Sequence, residues 1–180
     1  MTREEALILV TSYVKNKNLI KHMLAAEAIM RALAGRLKED QEHWGLAGLL
    51  HDLDYDETAK DFARHGFRTV ELLQDKAVAA DILQAIRAHA HGERTSLLDK
   101  ALYAVDPLTG LIVAGALIHP TKKLAAIDAT FMLNRFGEKR FAAGANREQI
   151  KSCAEFNMTL EDFVALGVSA MQGISEELVL

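Results

Sequence analysis

A single cysteine, Cys153, excludes an internal disulfide framework and a cysteine-built zinc site. Cys153 itself reads as a small helix residue. No stretch reaches the ~18 uncharged apolar residues that a membrane span requires; the longest apolar run is Leu111–Ile118. An excess of positive charge is also missing. Lys and Arg total 21 against 25 Asp and Glu, for a net charge of −4, which argues against a general nucleic-acid binder or a basic membrane-surface protein. The opening MTREEALILV carries acids where a signal peptide needs bases and a long apolar run. The expectation is a cytoplasmic protein that engages no membrane. At 180 residues the chain suits one domain with a proper core.

Proline is nearly as scarce as cysteine, with Pro107 and Pro120 alone, and alternating strand-like stretches are absent. Apolar residues recur at helical spacing, so the expected class is all-α, a single helical bundle. Thr2 with Glu5 predicts a capping box and a helix to about Lys15, broken at Asn16–Asn18. A second helix is expected from Leu19 to Lys38, on the spacing of Leu24, Ile29 and Leu33, and a third from Gln41 to His51. Leu53–Asp61 reads as acidic and irregular. Further helices are expected at Ala63–Gln74, Val78–His89, Leu97–Val105, Leu108–Leu117 and Ala125–Arg135, with the stop near His119 set by Pro120. Asn146 with Gln149, and Thr159 with Asp162, predict two more capped starts. Gly137–Gly144 reads as a loop or hinge. The apolar C-terminal helix, with Leu160, Phe163, Leu166, Val168 and Met171, completes the core or pairs with a second subunit in a homodimer.

Seven histidines matter less by number than by place. His51 and Asp52 follow the apolar run Leu46–Leu50, so a buried helix carries an imidazole and a carboxylate to its end. Burying an unpartnered carboxylate costs several kcal/mol; a cation offsets that cost and keeps the imidazole neutral. His22, His65, His89 and Asp106 lie on neighbouring helices, the last two at helix ends. Helix bundles build metal sites in this way, from inward side chains on facing helices. His43 and His119 read as structural or surface residues. Each candidate also has a plain structural role open to it: His22 on a helix surface, His65 or Asp106 as a cap, His89 and His91 in an exposed loop.

At these residues the chain resembles the HD superfamily of metal-dependent phosphohydrolases. The family's order of a histidine, a His-Asp pair and a distant aspartate falls on His22, His51, Asp52 and Asp106. The segment Gly45–Asp54 is very similar to the family's central motif. Many members add histidines that hold a second metal, and His65 and His89 occupy those places. The resemblance covers about residues 19–118, with a C-terminal helical extension over about 119–180; Gly144–Ile150, GANREQI, looks like a subgroup of predicted HD hydrolases. There are departures. Members with a two-metal site often carry two adjacent histidines where this chain has His89-Ala90-His91. Residues two apart on a helix point about 200° apart, so His89 is the expected ligand and His91 sits behind it. The Gly-Tyr-Pro signature of members that cleave cyclic dinucleotides is absent.

The resemblance implies hydrolysis of a phosphoester at His51 and Asp52, with one or two divalent ions (Mn, Fe, Ni, Co, Zn or Mg) held by His22, His51, Asp52, His65, His89 and Asp106. Asp52 would bridge if there are two. Arg68, one turn after His65, together with Lys122 and Lys123, is the expected set of phosphate-binding cations, and Asp54 the expected support for a ligand. The expected partner is a small phosphorylated, nucleotide-like molecule. The alternative is a non-catalytic metal-containing module that binds a nucleotide or a protein; an oxygenase with a mixed-valent iron pair shares the same ligands.

Overall fold

The computed structural model describes all residues, Met1–Leu180, and the chain is all-helical. Its starts are set by short polar side chains that accept from otherwise unpaired amides. Thr2 and Glu5 form the capping box of α1 (Arg3–Tyr13). Asn16 does not merely break the chain: its Oδ1 accepts from Asn18 and Leu19 N–H, so α2 (Lys17–Leu37) begins two residues earlier than the apolar pattern implies. Asp40 caps α3 (Gln41–Leu50) in the same way. The acidic stretch after it contains a four-residue helix, α4 (Tyr55–Thr58). Then come α5 (Phe67–Leu73), α6 (Ala80–Ala90), α7 (Leu97–Ile118), α8 (Ala129–Phe136), α9 (Arg147–Lys151), α10 (Leu160–Gln172) and α11 (Ser175–Leu178). Asn146 and Thr159 cap α9 and α10 as their spacing predicts.

Two expectations are corrected. The helices expected at Leu97–Val105 and Leu108–Leu117 are one, α7, with Pro107 inside it, so Asp106 sits in mid-helix and not at an end. Pro107 has no N–H to donate to the carbonyl four residues back. That carbonyl, on Tyr103, instead accepts from Gln149 Nε2 at 2.8 Å, and the helix continues unbroken. Likewise Ala63–Gln74 is not one helix. A 3₁₀ turn at Phe62–Arg64 ends at His65 (ψ 138°), and Gly66 at φ 77° leads into α5. That φ lies where a side chain is strained. The remote Asp54 carboxylate fixes this turn: Oδ2 accepts from Gly66 N–H (2.8 Å) and Thr69 N–H (3.1 Å), capping α5 from another segment and placing a negative charge at its positive end.

One contiguous cluster of 42 buried apolar residues runs from Ala6 in α1 to Leu178 in α11. Helix α7 is its spine. By length and composition α7 could cross a membrane, at 22 residues and mean hydropathy 1.8; here its apolar residues are buried against α2, α6 and α9. The closest packing joins α2 to α3, and glycine makes it close. A Cβ on Gly48 would lie 2.8 Å from the Ala26 carbonyl and the Glu27 nitrogen of α2. Gly137–Gly144 is a structured loop. The Arg147 guanidinium donates to the carbonyls of Phe141 (2.5 Å), Ala142 and Ala145 (2.7 Å each).

Candidate metal centre

The α2–α3 contact brings His22, on the second turn of α2, against His51, at the end of α3; their Nε2 atoms are 3.1 Å apart. The turn after α3 adds Asp52. His65 comes from the turn before α5 and His89 from the last turn of α6, their Nε2 atoms 3.0 Å apart. Asp52 lies between the two pairs. Its carboxylate is 3.4 Å from His22, 3.5 Å from His51, 3.3 Å from His65 and 3.6 Å from His89, each measured to Nε2. Asp106, projecting from mid-α7, reaches 3.3 Å from His22 and 3.9 Å from His51. All six expected ligands therefore meet at one place.

The other ring nitrogen of every histidine is tied to the protein. Nδ1 of His22 meets the Thr109 hydroxyl at 2.7 Å, that of His51 the Gly48 carbonyl at 2.8 Å, that of His65 Asp54 at 2.8 Å and that of His89 the Ile86 carbonyl at 2.5 Å. Carbonyls and a carboxylate only accept, so these three imidazoles carry their proton on Nδ1 when neutral. Thr109 already donates its hydroxyl to the Asp106 carbonyl (2.8 Å), so it too accepts. In their neutral form, the one a metal requires, the four rings thus point an Nε2 lone pair inward, the arrangement that outer hydrogen bonds produce around metal-binding histidines.

Two triads satisfy the spacing of a metal site, His22–His51–Asp52 and Asp52–His65–His89, each with its ligand atoms within 4.8 Å of one another. Mixed imidazole and carboxylate donors suit borderline divalent ions. The electrostatics agree. Burial opposes the charge on Asp52, yet His51 and the hydrogen bonds of His22, His65 and His89 hold its carboxyl well below the usual carboxylate range. Burial opposes the charge on Asp106 as well, and contacts with His22 and His51 lower it. Burial pushes the His22 imidazole down, but Asp106 and Asp52 outweigh it and carry the value up to about 10. For His65, burial is likewise outweighed, by Asp52 and Asp54, and the value reaches about 9. Two ionised carboxylates that recruit protons onto neighbouring imidazoles form a site that fits cations.

Not every expected residue joins the centre. Arg68 was expected to share a helical face with His65, but the chain leaves helical register at Gly66. Arg68 Nε instead binds Glu57 (3.2 Å) and Nη1 binds Glu71 (3.1 Å), so its guanidinium is taken up away from the ligands. Lys122 and Lys123 lie beyond Ile118, twelve residues past Asp106, about 18 Å along the helix axis, and line neither cavity at the centre. His91 has left α6 in an extended conformation. It donates Nε2–H to the Phe62 carbonyl at 2.8 Å and stacks on Phe67 at 5.3 Å, so it reaches the site only by bracing Phe62. His43 pairs with Asp81 across α3 and α6 (2.7 Å).

Asp54 behaves differently from Asp52. It is buried, lowered in pKa by His65 and by the Thr69 and Gly66 amides against the effect of burial, and makes three hydrogen bonds. Asp54→Ala is expected to strand two buried amides and free the His65 ring. The expected result is a loss of about 3 kcal/mol of stability, roughly 6–12 °C in Tm, and metal affinity weakened by about 10–100-fold. Thermal scanning and isothermal titration with Mn²⁺ would check it. Thr109 was missed from sequence. Its only local signal is the spacing Asp106-Pro-Leu-Thr109, three residues after a ligand.

Above the cluster opens a cavity of about 470 Å³ walled by Leu19, Tyr55, Phe62, Tyr103 and Gln149. No lysine or arginine lines it. A second cavity, of about 390 Å³, shares His22 and Asp106 with the first. Comparison with known families matches residues 19–130 to the HD domain. No curated protein and no solved structure matches the chain. With that match spanning more than half of its residues, all four elements of the His…His-Asp…Asp pattern inside it, the chain belongs to the HD domain family.

Proposed function

We propose that this HD protein hydrolyses a phosphoester, as a metal-dependent phosphomonoesterase or phosphodiesterase acting on a small nucleotide-like molecule. Members of the HD family are generally metal-dependent hydrolases. The observation that carries the reading is the position of Asp52, shared by two ligand triads at the floor of a solvent-open cavity. His22, His51, Asp52 and Asp106 would hold one ion, and Asp52, His65 and His89 a second. When bound, such ions supply Lewis acidity that makes water nucleophilic near neutral pH and neutralises phosphoryl charge.

The chain's own groups do the rest. The anchored Nδ1–H groups of His51, His65 and His89 keep the rings from turning. Tyr55, Phe62 and Tyr103 give flat apolar walls for the organic part of the substrate and limit water around the phosphorus. No Lys or Arg lines this cavity, but the Arg94 guanidinium stacks on the ring of its Tyr103 wall at 3.9 Å, so the ions and that cation would share neutralisation of the phosphate.

Metal-loaded protein should turn over members of a panel of phosphorylated metabolites and nucleotides, tested with Mn²⁺, Co²⁺, Ni²⁺, Zn²⁺, Fe²⁺ and Mg²⁺. Failure on every ester with every ion would overturn the reading. Metal removal is a separate check. An ion at 100 times its Kd stabilises the fold by about 2.7 kcal/mol, so chelation should lower Tm by roughly 5–11 °C and re-addition of the ion should restore it. A Tm indifferent to chelator would show that no ion is held.

A further inference from the structure

His22 and Asp106 border both cavities at the centre. The two cavities therefore adjoin at these two ligands. A phosphomonoester has one ester arm and needs one cavity. A phosphodiester carries two arms that diverge from phosphorus.

The second cavity is shaped as a groove. Its floor is one face of α7: Asp106, Gly110 and Ala114 follow at intervals of four residues and so lie in line along the helix. That face extends from the metal centre for about 12 Å. The opposite wall is the loop carrying Ala142 and Gly144, which the Arg147 guanidinium holds in shape through three backbone carbonyls. The groove therefore exists before any ligand arrives. A Cβ at Gly110 or Gly144 would meet nothing within 4 Å, so these glycines leave empty space and do not serve close helix packing. Apart from His22 and Asp106 the lining carries no charge.

We infer that the substrate is a phosphodiester: one arm lies against Tyr55, Phe62 and Tyr103, and the other, uncharged, lies in the Gly110–Ala114 groove. The inference rests on the hydrolase reading and narrows it. Water supplies a hydroxyl oxygen to phosphorus, one P–O ester bond breaks with its electron pair on the leaving oxygen, and that oxygen gains the proton which the water gives up. The products are a phosphomonoester and an alcohol. Gly110 and Gly144 are then specificity-determining positions.

The test compares Mn²⁺-loaded protein on bis(4-nitrophenyl) phosphate and on 4-nitrophenyl phosphate, for the native chain and for Gly110→Leu, with Gly144→Leu as an independent variant from the opposite wall. The native chain is expected to cleave the diester. Both variants are expected to lower the ratio of diester to monoester kcat/KM by about tenfold or more, the size of effect a steric block in a pocket produces. Cleavage of the monoester alone, or a ratio unchanged in both variants, overturns this inference and leaves the hydrolase reading standing. Cleavage of neither ester by the native chain counts against both.

Discussion

Asp52→Ala is expected to remove hydrolysis while leaving the helical fold intact. The side chain is nearly inaccessible, yet none of its hydrogen bonds goes to the backbone. Its partners are the imidazoles of His22, His51, His65 and His89. That separates it from Asp54, which supports two amides of the chain. Removing Asp52 strands no backbone donor, so the metal-free variant should show native circular dichroism and a Tm close to that of the metal-free native chain. What it removes is the one anionic donor common to both triads. Lewis acid catalysis contributes several kcal/mol to the barrier, so its loss corresponds to roughly a thousandfold or more in turnover. Isothermal titration should show both sites weakened together, because one carboxylate serves both. Asp52→Asn sharpens the test: it keeps the shape and loses the charge. A variant that folds, binds two ions with native affinity and still turns over would place the chemistry elsewhere.

The contrast between Asp52 and Asp54 also marks what the sequence could disclose. Helical class and most starts were legible because caps are local: Thr2 with Glu5 and Thr159 with Asp162 act within one turn. The six candidate ligands were legible as an ordered set, and the structure gathers them. What stayed hidden depends on partners remote in the chain. Pro107 is accommodated inside α7 because Gln149, 46 residues from the carbonyl it satisfies, replaces the missing donor; read locally, the same proline implies two helices. His65 lies outside α5 because Asp54, eleven residues before it, holds the His65 ring and the Gly66 amide. Once that turn is set, the face shared by His65 and Arg68 no longer exists, and Arg68 pairs with Glu57 and Glu71. Thr109 acts on His22 from 87 residues away. Local polarity governs where helices begin; long-range hydrogen bonds govern where they are interrupted, and the geometry of the centre belongs to the second kind.

Gly48→Val should be the most destabilising single change near the centre. A Cβ at Gly45, one turn earlier, would meet Arg31 Cγ at 2.7 Å, a side-chain atom that moves only if Arg31 rotates and gives up its pair with Glu42. At Gly48 the obstacles at 2.8 Å are backbone atoms, the carbonyl of Ala26 and the nitrogen of Glu27, and backbone inside a helix yields only if the helix moves. Valine also loses rotamer freedom in a helix. Overpacking costs about 1–3 kcal/mol where side chains can adjust; against rigid backbone the expected loss is about 4 kcal/mol or more, a large share of the 5–15 kcal/mol typical of a folded protein. For Gly45→Ala the gain in helix propensity, about 1 kcal/mol, offsets part of the cost of displacing Arg31 from Glu42, so that variant should lose about 1–2 kcal/mol, well short of Gly48→Val. Gly48→Val also reaches function through geometry. Helices α2 and α3 carry His22 and His51, whose Nε2 atoms are 3.1 Å apart, and ligand sets tolerate shifts of only about 0.5 Å. Separating the helices enough to seat a valine exceeds that tolerance, so whatever Gly48→Val protein folds at low temperature should also bind Mn²⁺ more weakly. Denaturant melts of both variants, with metal titration of the folded fraction, decide it. Equal stability of Gly48→Val and Gly45→Ala would mean that the α2–α3 contact does not set the spacing of the centre.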